Sequence, residues 1–351
     1  MVDTIRFAIP LTEIEYQAIQ KKGKEQIIND KTLGTEIKRR YNDNIYVGSY
    51  DYRINYWCYD ESKLFLEFSV PKYVYGHNIY LLYPSQLKQA LDGVYHELLN
   101  HFGAFPHYKN WLIQRLDICY AWRYQDQATA ERVLEALRML EYPRKVRQPY
   151  RTGVMWKGGK YSPKFYLKQQ DFRVHDFKRI VKQDPERAYK LLELSAGVLR
   201  FEITFRKFAL DYLFENKASI NYRDLLENDF IPRTLTEYLN KLISNFNNDA
   251  MQSEDIAKRL IDLYGKANGM KRYFFYELFF SPEHNKRHVI YKLYSRTTIW
   301  RYKKDIEAAD INILPFYDVY TDISIPSQYV VNPDPALHAP AEERGTLFAY
   351  E

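Results

Sequence analysis

Val198 to Arg206, VLRFEITFR, alternates without a break: Leu199, Phe201, Ile203 and Phe205 fall on one side, Arg200, Glu202, Thr204 and Arg206 on the other. A period of two specifies an extended strand with one apolar face. Such a strand has to sit in a sheet covered from one side, which leaves the other side for polar groups. Three more stretches repeat the pattern. In Lys63–Val70, Leu64, Leu66, Phe68 and Val70 oppose Lys63, Phe65, Glu67 and Ser69. In Trp111–Trp122, Leu112, Leu116, Ile118 and Tyr120 alternate with Arg115, Asp117 and Cys119. In Tyr161–Lys168, Phe165 and Leu167 oppose Lys164, Tyr166 and Lys168.

The polar sides of these four strands offer Glu67, Asp117, Tyr166 and Glu202. Three carboxylates brought together on one face repel unless protonated or bound to a cation. All-oxygen ligands suit Mg²⁺ or Mn²⁺ rather than zinc. An ion there would hold a phosphate oxygen, and Tyr166 would attack the phosphorus with Lys164 or Lys168 neutralising its charge. Arg115 and Arg200 share faces with the acids, as salt-bridge partners or as phosphate clamps. The plainer alternative is a solvated sheet face on which each acid pairs with a neighbouring arginine.

The rest of the chain frames this sheet. Thr4–Ile9 reads as a first strand, Leu11 to about Gln26 as a helix, and 44–70 as a meander of three strands. Pro71–Asn78 reads as a loop and Ser85 to about Phe102 as an amphipathic helix, with further helices over about 128–140 and 184–196. Thr152–Trp156 and the Lys164 strand form a hairpin around Lys157–Gly158–Gly159–Lys160. Beyond about residue 207 the spacing turns helical, and from 313 the chain is irregular. The expected organisation is therefore α+β over 1–210, with an antiparallel sheet and helices on one face. A mostly helical region over 211–315 and an irregular tail over 316–351 follow. Within the helical region, 286–308 has the pattern of a helix-turn-helix whose second helix carries Arg296, Arg301, Lys303 and Lys304. Those residues would meet bases or phosphates. The alternative is a basic, solvated helix packed through Ile299, Tyr302 and Ile306.

Composition narrows the function classes. Net charge is +6, from 51 Lys and Arg against 45 Asp and Glu, which permits a polyanionic partner. The 33 tyrosines, interleaved with basic residues, suit stacking on single-stranded bases. Cys58 and Cys119 form neither a disulfide framework nor a zinc spacing, as expected in a reducing cytoplasm. No run of apolar residues approaches a membrane span, and no secretory leader is expected. GxxxxGK[ST], GxGxxG and GxSxG are all absent, which argues against ATPases, dehydrogenases and hydrolases of those types.

Five segments in order, VPKYVYGHN (70–78), QRLDICYAW (114–122), MWKGGKYSPKFYLK (155–168), AGVLRFEITFRK (196–207) and TTIWRYKKDIEAADI (297–311), resemble the replication initiators of filamentous phages. This is the gene II/X protein family, shared with rolling-circle plasmids. The resemblance implies a ferredoxin-like sheet of the nicking-endonuclease type. It also implies an enzyme that nicks one strand of origin DNA, stays linked to the 5′ phosphate through a tyrosine and later rejoins the strand. It puts that tyrosine at Tyr166, and the metal acids at Asp117 and Glu202, with Glu67 as a further acid. The superfamily's His-x-His metal pair is missing, and His77 is the one histidine beside the site strands, as a ligand, a phosphate contact or a loop-fixing residue. Tyr161 and Tyr120 are reserve phenols. Duplex origin DNA and single-stranded DNA are the implied partners, with a host helicase and a single-strand-binding protein in the same pathway. A DNA-binding regulator without chemistry, or a relaxase or transposase, are the alternatives.

Overall fold

The alternating stretches form the middle of one ten-stranded sheet in the computed structural model, which describes residues 1–29, 36–59, 63–138, 140, 142–215, 217–243, 253–280, 289–290, 292–309, 311 and 337–339. Along the chain the strands are β1 (Val2–Pro10), β2 (Lys24–Asn29), β3 (Glu36–Val47), β4 (Tyr52–Cys58) and β5 (Lys63–Ser69). They continue with β6 (Leu112–Arg123), β7 (Val146–Tyr150), β8 (Gly153–Lys157), β9 (Tyr161–Leu167) and β10 (Val198–Arg206). Their order across the sheet is β2-β3-β4-β5-β1-β6-β10-β9-β8-β7, and every pairing is antiparallel. The first helices are α1 (Glu13–Lys22), α2 (Val70–Tyr75), α3 (Pro84–Phe102), α4 (Gln127–Leu137), α5 (Lys168–His175) and α6 (Phe177–Ile180). The others are α7 (Pro185–Leu194), α8 (Lys207–Leu213), α9 (Phe230–Ile243), α10 (Ser253–Tyr264), α11 (Lys266–Phe280) and α12 (Arg296–Ala308).

The apolar sides of the strands do what their alternation requires. Leu64, Leu66 and Phe68 of β5, Phe165 of β9, and Leu199, Phe201, Ile203 and Phe205 of β10 are all buried. They share one core with Leu87, Leu91, Val94 and Leu98 of α3 and with Val133, Leu134 and Leu137 of α4. Aromatic pairs extend that core, with Phe7 edge-on to Trp111 at 5.3 Å and Tyr56 edge-on to Phe102 at 5.3 Å. Tyr238 of α9 packs on Phe205 at 5.1 Å, so the core continues past the change in composition near residue 210. A second cluster, built from Ile256, Leu260, Phe275, Tyr276, Ile299, Tyr302 and Ile306, holds α10, α11 and α12 together.

The sheet is wider than the ferredoxin-like layer the resemblance implied. The unforeseen strands are β2 and β7, at its two edges, and the first half of β3. Four of the five residues of β7 are exposed, Pro149 among them. A strand wetted on both sides has no apolar face to write into its sequence, and proline is tolerated at a sheet edge. The expected loop at 71–78 is in part the helix α2, with Pro71 in its first turn, where a missing N–H costs nothing. Gly76 closes that helix at φ +77°. Of the proposed helix-turn-helix over 286–308, residues 286–288 and 291 lie outside the described residues. So does the expected tail, apart from 337–339. Among the described residues, no helix is long and apolar enough to cross a membrane.

Candidate active site

Residues directly opposite one another in an antiparallel pair project to the same side of the sheet. Glu67 faces Arg6, and Arg6 faces Arg115. Asp117 faces Thr204, while Glu202 faces Cys119 on one side and Lys164 on the other. Asp117 and Glu202 are therefore diagonal neighbours. Arg200 faces Tyr166, Tyr166 faces Gly153, and Gly153 faces Tyr150. The register thus gathers Glu67, Asp117, Glu202, Lys164 and Tyr166 on the face away from α3 and α4.

Two linked groups occupy it. In the first, Tyr166 donates its phenolic hydrogen to Glu202 Oε2 at 2.9 Å, and Lys164 Nζ lies 2.9 Å from Glu202 Oε1. In the second, Arg115 grips Asp117 with two bonds, Nε to Oδ1 at 2.9 Å and Nη2 to Oδ2 at 2.7 Å. Its remaining nitrogen reaches Glu67 at 3.5 Å, and Arg6 Nε bonds Glu67 Oε2 at 2.6 Å. Fork-to-carboxylate bonds of this kind fix direction as well as charge. Burial, reinforced by the nearby Glu202 charge, raises the Asp117 carboxyl to about 7, against the pull of Arg115. Burial and then Glu202 also push the Tyr166 phenol well above its usual value, while Arg200 opposes them. Lys164 loses by burial but gains more from Glu202, and its ammonium is held charged.

Several expected site residues have internal roles instead. Arg200 is fully buried, donates to the Ile79 carbonyl at 3.0 Å and pairs with buried Asp3 at 3.6 Å. Its bonds are internal, because the segment around Ile79 covers this end of the polar face. Lys168 is not in the strand; it begins α5, is fully buried, and bonds Asn78 and Asp171. Asn78 in turn donates to Asp3 at 2.9 Å. These bonds tie α5 and the 77–79 segment to the sheet, which leaves Lys168 a structural tie rather than a phosphate contact.

His77 is also fully buried, with its ring tilted against Tyr80 at 4.8 Å and Nδ1 accepting from the Ile79 amide at 3.2 Å. Burial first, then Arg187 and Lys168, depress its pKa well below 6.5, so it is neutral. The unfolded chain takes up that proton near pH 6.5. His77 therefore contributes stability present above pH 6.5 and lost as the pH falls. Urea midpoints of wild type are expected to drop between pH 6.5 and 5, and those of His77→Gln to drop less. Parallel curves would contradict this assignment.

The reserve phenols Tyr161 and Tyr120 are on the wrong side. They face Phe205 and Phe201 across the ladder and belong to the apolar face. Tyr150 is the phenol that sequence patterning did not single out. It lies across Gly153, where a Cβ would fall 2.4 Å from its hydroxyl, and it is 40 % exposed. Tyr166 itself is only 5 % exposed. Burial, offset in part by Lys164 and reinforced by Glu202, lifts the Tyr150 phenol to about 12. The signal for Tyr150 was a glycine directly opposite a candidate nucleophile, which only the register reveals.

On α12, Arg296, Arg301 and Lys304 are exposed, whereas Lys303 is half-buried with its ammonium 4.7 Å from the Phe279 ring. Ser295 caps the helix by accepting from the Thr298 amide at 3.2 Å. Ile299, Tyr302 and Ile306 face the second core.

Among the described residues, no three His, Cys, Asp or Glu side chains converge to hold a metal ion. Glu67 is taken up by two arginines, and His77 is enclosed by aromatic rings. Asp117 and Glu202 are bonded too, to Arg115 and to Tyr166 and Lys164, but they are diagonal neighbours and each carboxylate keeps lone pairs beyond those bonds. Mg²⁺ is commonly bound by one or two carboxylates, with water and substrate phosphates completing its shell, and this pair fits that mode.

An antiparallel sheet whose polar face carries carboxylates, lysine, arginine and a hydrogen-bonded phenol defines an α+β protein with a charged, internally paired sheet face. The sequence profile for the N-terminal part of the replication-associated gene II protein, of a phage replication initiator family, matches residues 1–223, and the chain belongs to that family. No curated protein and no solved structure matches it. Family membership gives the chain a role in starting replication and makes DNA its partner.

Proposed function

We propose that this initiator nicks one DNA strand and holds the cut end through Tyr166. The observation that carries this reading is the 2.9 Å bond from the Tyr166 phenol to Glu202, flanked by Lys164. A phenol with a raised pKa is a poor nucleophile unless its proton leaves as it attacks. Glu202 is placed to take that proton. The new bond joins the phenolic oxygen to phosphorus, the bond to the 3′ oxygen breaks, and that oxygen takes up a proton from water. The released 3′-OH is then free to prime synthesis. Lys164 offsets charge on the phosphate. A divalent ion held by Asp117 and Glu202 would supply further charge neutralisation there. Rejoining is the same step in reverse, with the 3′-OH attacking the phosphotyrosine. The exposed basic side of α12 fits duplex binding at the origin.

The test is covalent capture. Wild-type protein, supercoiled DNA carrying its own origin, and Mg²⁺ or Mn²⁺ are combined, denatured, and probed for protein on a 5′ end. An adduct that disappears with chelator and with Glu202→Gln supports the reading. Tight, specific binding with neither nick nor adduct would replace it with a non-catalytic regulator.

A further inference from the structure

The same polar face continues beyond Glu67 onto β4 and β3, and there its character changes. Trp57 of β4 faces Phe65 of β5, and the two rings stack at 5.6 Å with an interplanar angle of 13°. Tyr59 stands edge-on to Phe65 at 6.4 Å. Two guanidinium groups lie over these rings: Arg6 is 5.2 Å from the Trp57 centroid, and Arg40 is 5.6 Å from Trp57 and 5.8 Å from Tyr59. All five side chains are half-exposed, on the face away from the core.

Packing does not require this arrangement. The buried sides of β4 and β5 are already filled by Ile54, Tyr56, Cys58, Leu64, Leu66 and Phe68. Three rings left partly in water, Trp57 and Tyr59 each under an arginine and Phe65 stacked on Trp57, present flat apolar surfaces at a positive potential. Successive unpaired bases and their phosphates want that combination. A duplex would offer its phosphates but not its base faces.

The cluster is also wired to the candidate active site. Arg6 lies over Trp57 and bonds Glu67; Glu67 meets Arg115; Arg115 holds Asp117. Five strand steps separate β4 from β9 in the sheet order, so at about 4.8 Å per step the rings stand roughly 24 Å from Tyr166.

We propose that Trp57, Phe65 and Tyr59, with Arg6 and Arg40, form a stacking platform for single-stranded DNA that leads an unpaired strand across the sheet toward Tyr166. This rests on the nicking reading for its destination, but the platform itself is a binding site that can be measured without chemistry.

The experiment is equilibrium binding of a fluorescent 15-nucleotide oligothymidine and of a matched duplex, to the full chain in chelator, over a range of salt. Trp57→Leu keeps an apolar side chain on the sheet and removes the stacking face; Trp57→Phe keeps a ring. A stacked base contributes about 1–3 kcal/mol, equivalent to about 5- to 150-fold. Trp57→Leu is therefore expected to weaken oligothymidine binding at least fivefold with an unchanged salt slope. Duplex affinity should stay within twofold, and Trp57→Phe should recover most of the loss. Arg40→Gln is expected to lower the log–log salt slope for the single strand by about 0.7. Unchanged single-strand affinity in folded Trp57→Leu, or an equal loss on duplex, overturns the platform even where covalent adducts form normally. Selective loss in a protein that never forms an adduct leaves the platform standing and removes only the nicking reading.

Discussion

Tyr166→Phe is expected to remove the covalent protein–DNA adduct altogether and to lower origin nicking by at least about a thousandfold, the scale on which loss of a catalytic group is felt. The substitution deletes one oxygen. Its ring remains against Lys164, whose ammonium is 5.0 Å from the ring centroid, so folding and DNA affinity should hold. The cost falls on chemistry alone, because Glu202 then has no phenolic proton to accept. A gel of denatured, labelled product measures it. Residual adduct in Tyr166→Phe would move the nucleophile to Tyr150, the exposed phenol across Gly153, and Tyr150→Phe in the same background should then abolish it. Tyr161 and Tyr120 are not candidates for that role, since the ladder turns both to the helix-covered side.

Arg200→Met is expected to cost roughly 3–5 kcal/mol of folding stability, the usual consequence of stripping one partner from a buried ion pair. Arg200 and Asp3 are both buried, and Asp3 also accepts from Ser69 Oγ at 2.7 Å and from Asn78. Burial alone would raise the Asp3 carboxyl. Arg200 and then Ser69 more than reverse that and hold it below its usual range. Without the guanidinium, a carboxylate stays in the interior and the Ile79 carbonyl loses its donor. Methionine keeps most of the side-chain volume, so the loss reports charge rather than a cavity. Asp3→Asn added to Arg200→Met should restore part of the stability, because the orphaned charge goes with it. Chemical denaturation measures both. A phosphate-clamping Arg200 would behave the other way, weakening DNA binding while leaving the unfolding midpoint unmoved.

These expectations mark where sequence stops and tertiary structure begins. A period of two is local, so VLRFEITFR and its three counterparts announced a sheet with an apolar side and placed Glu67, Asp117, Tyr166 and Glu202 opposite that side. The same parity already put Tyr161 with Phe165 and Tyr120 with Leu116 and Ile118, and could have excluded them. Alternation says nothing, however, about which residue stands beside which on the next strand, because hydrogen-bond register is a property of the pair. Register made Glu202 the partner of Tyr166 and Lys164, gave Asp117 to Arg115, and laid Tyr150 across Gly153. Burial was equally illegible. Arg200, Lys168 and His77 read as exposed chemistry in one dimension, yet they are enclosed because the 77–79 segment and α5 fold over one end of the polar face. The order and spacing of residues determined the family, the sheet and the polar face of that sheet. Only the folded chain decided which charges are spent holding that face together and which are left exposed, because desolvation depends on what covers a side chain, and here the covering segments lie far from it in sequence.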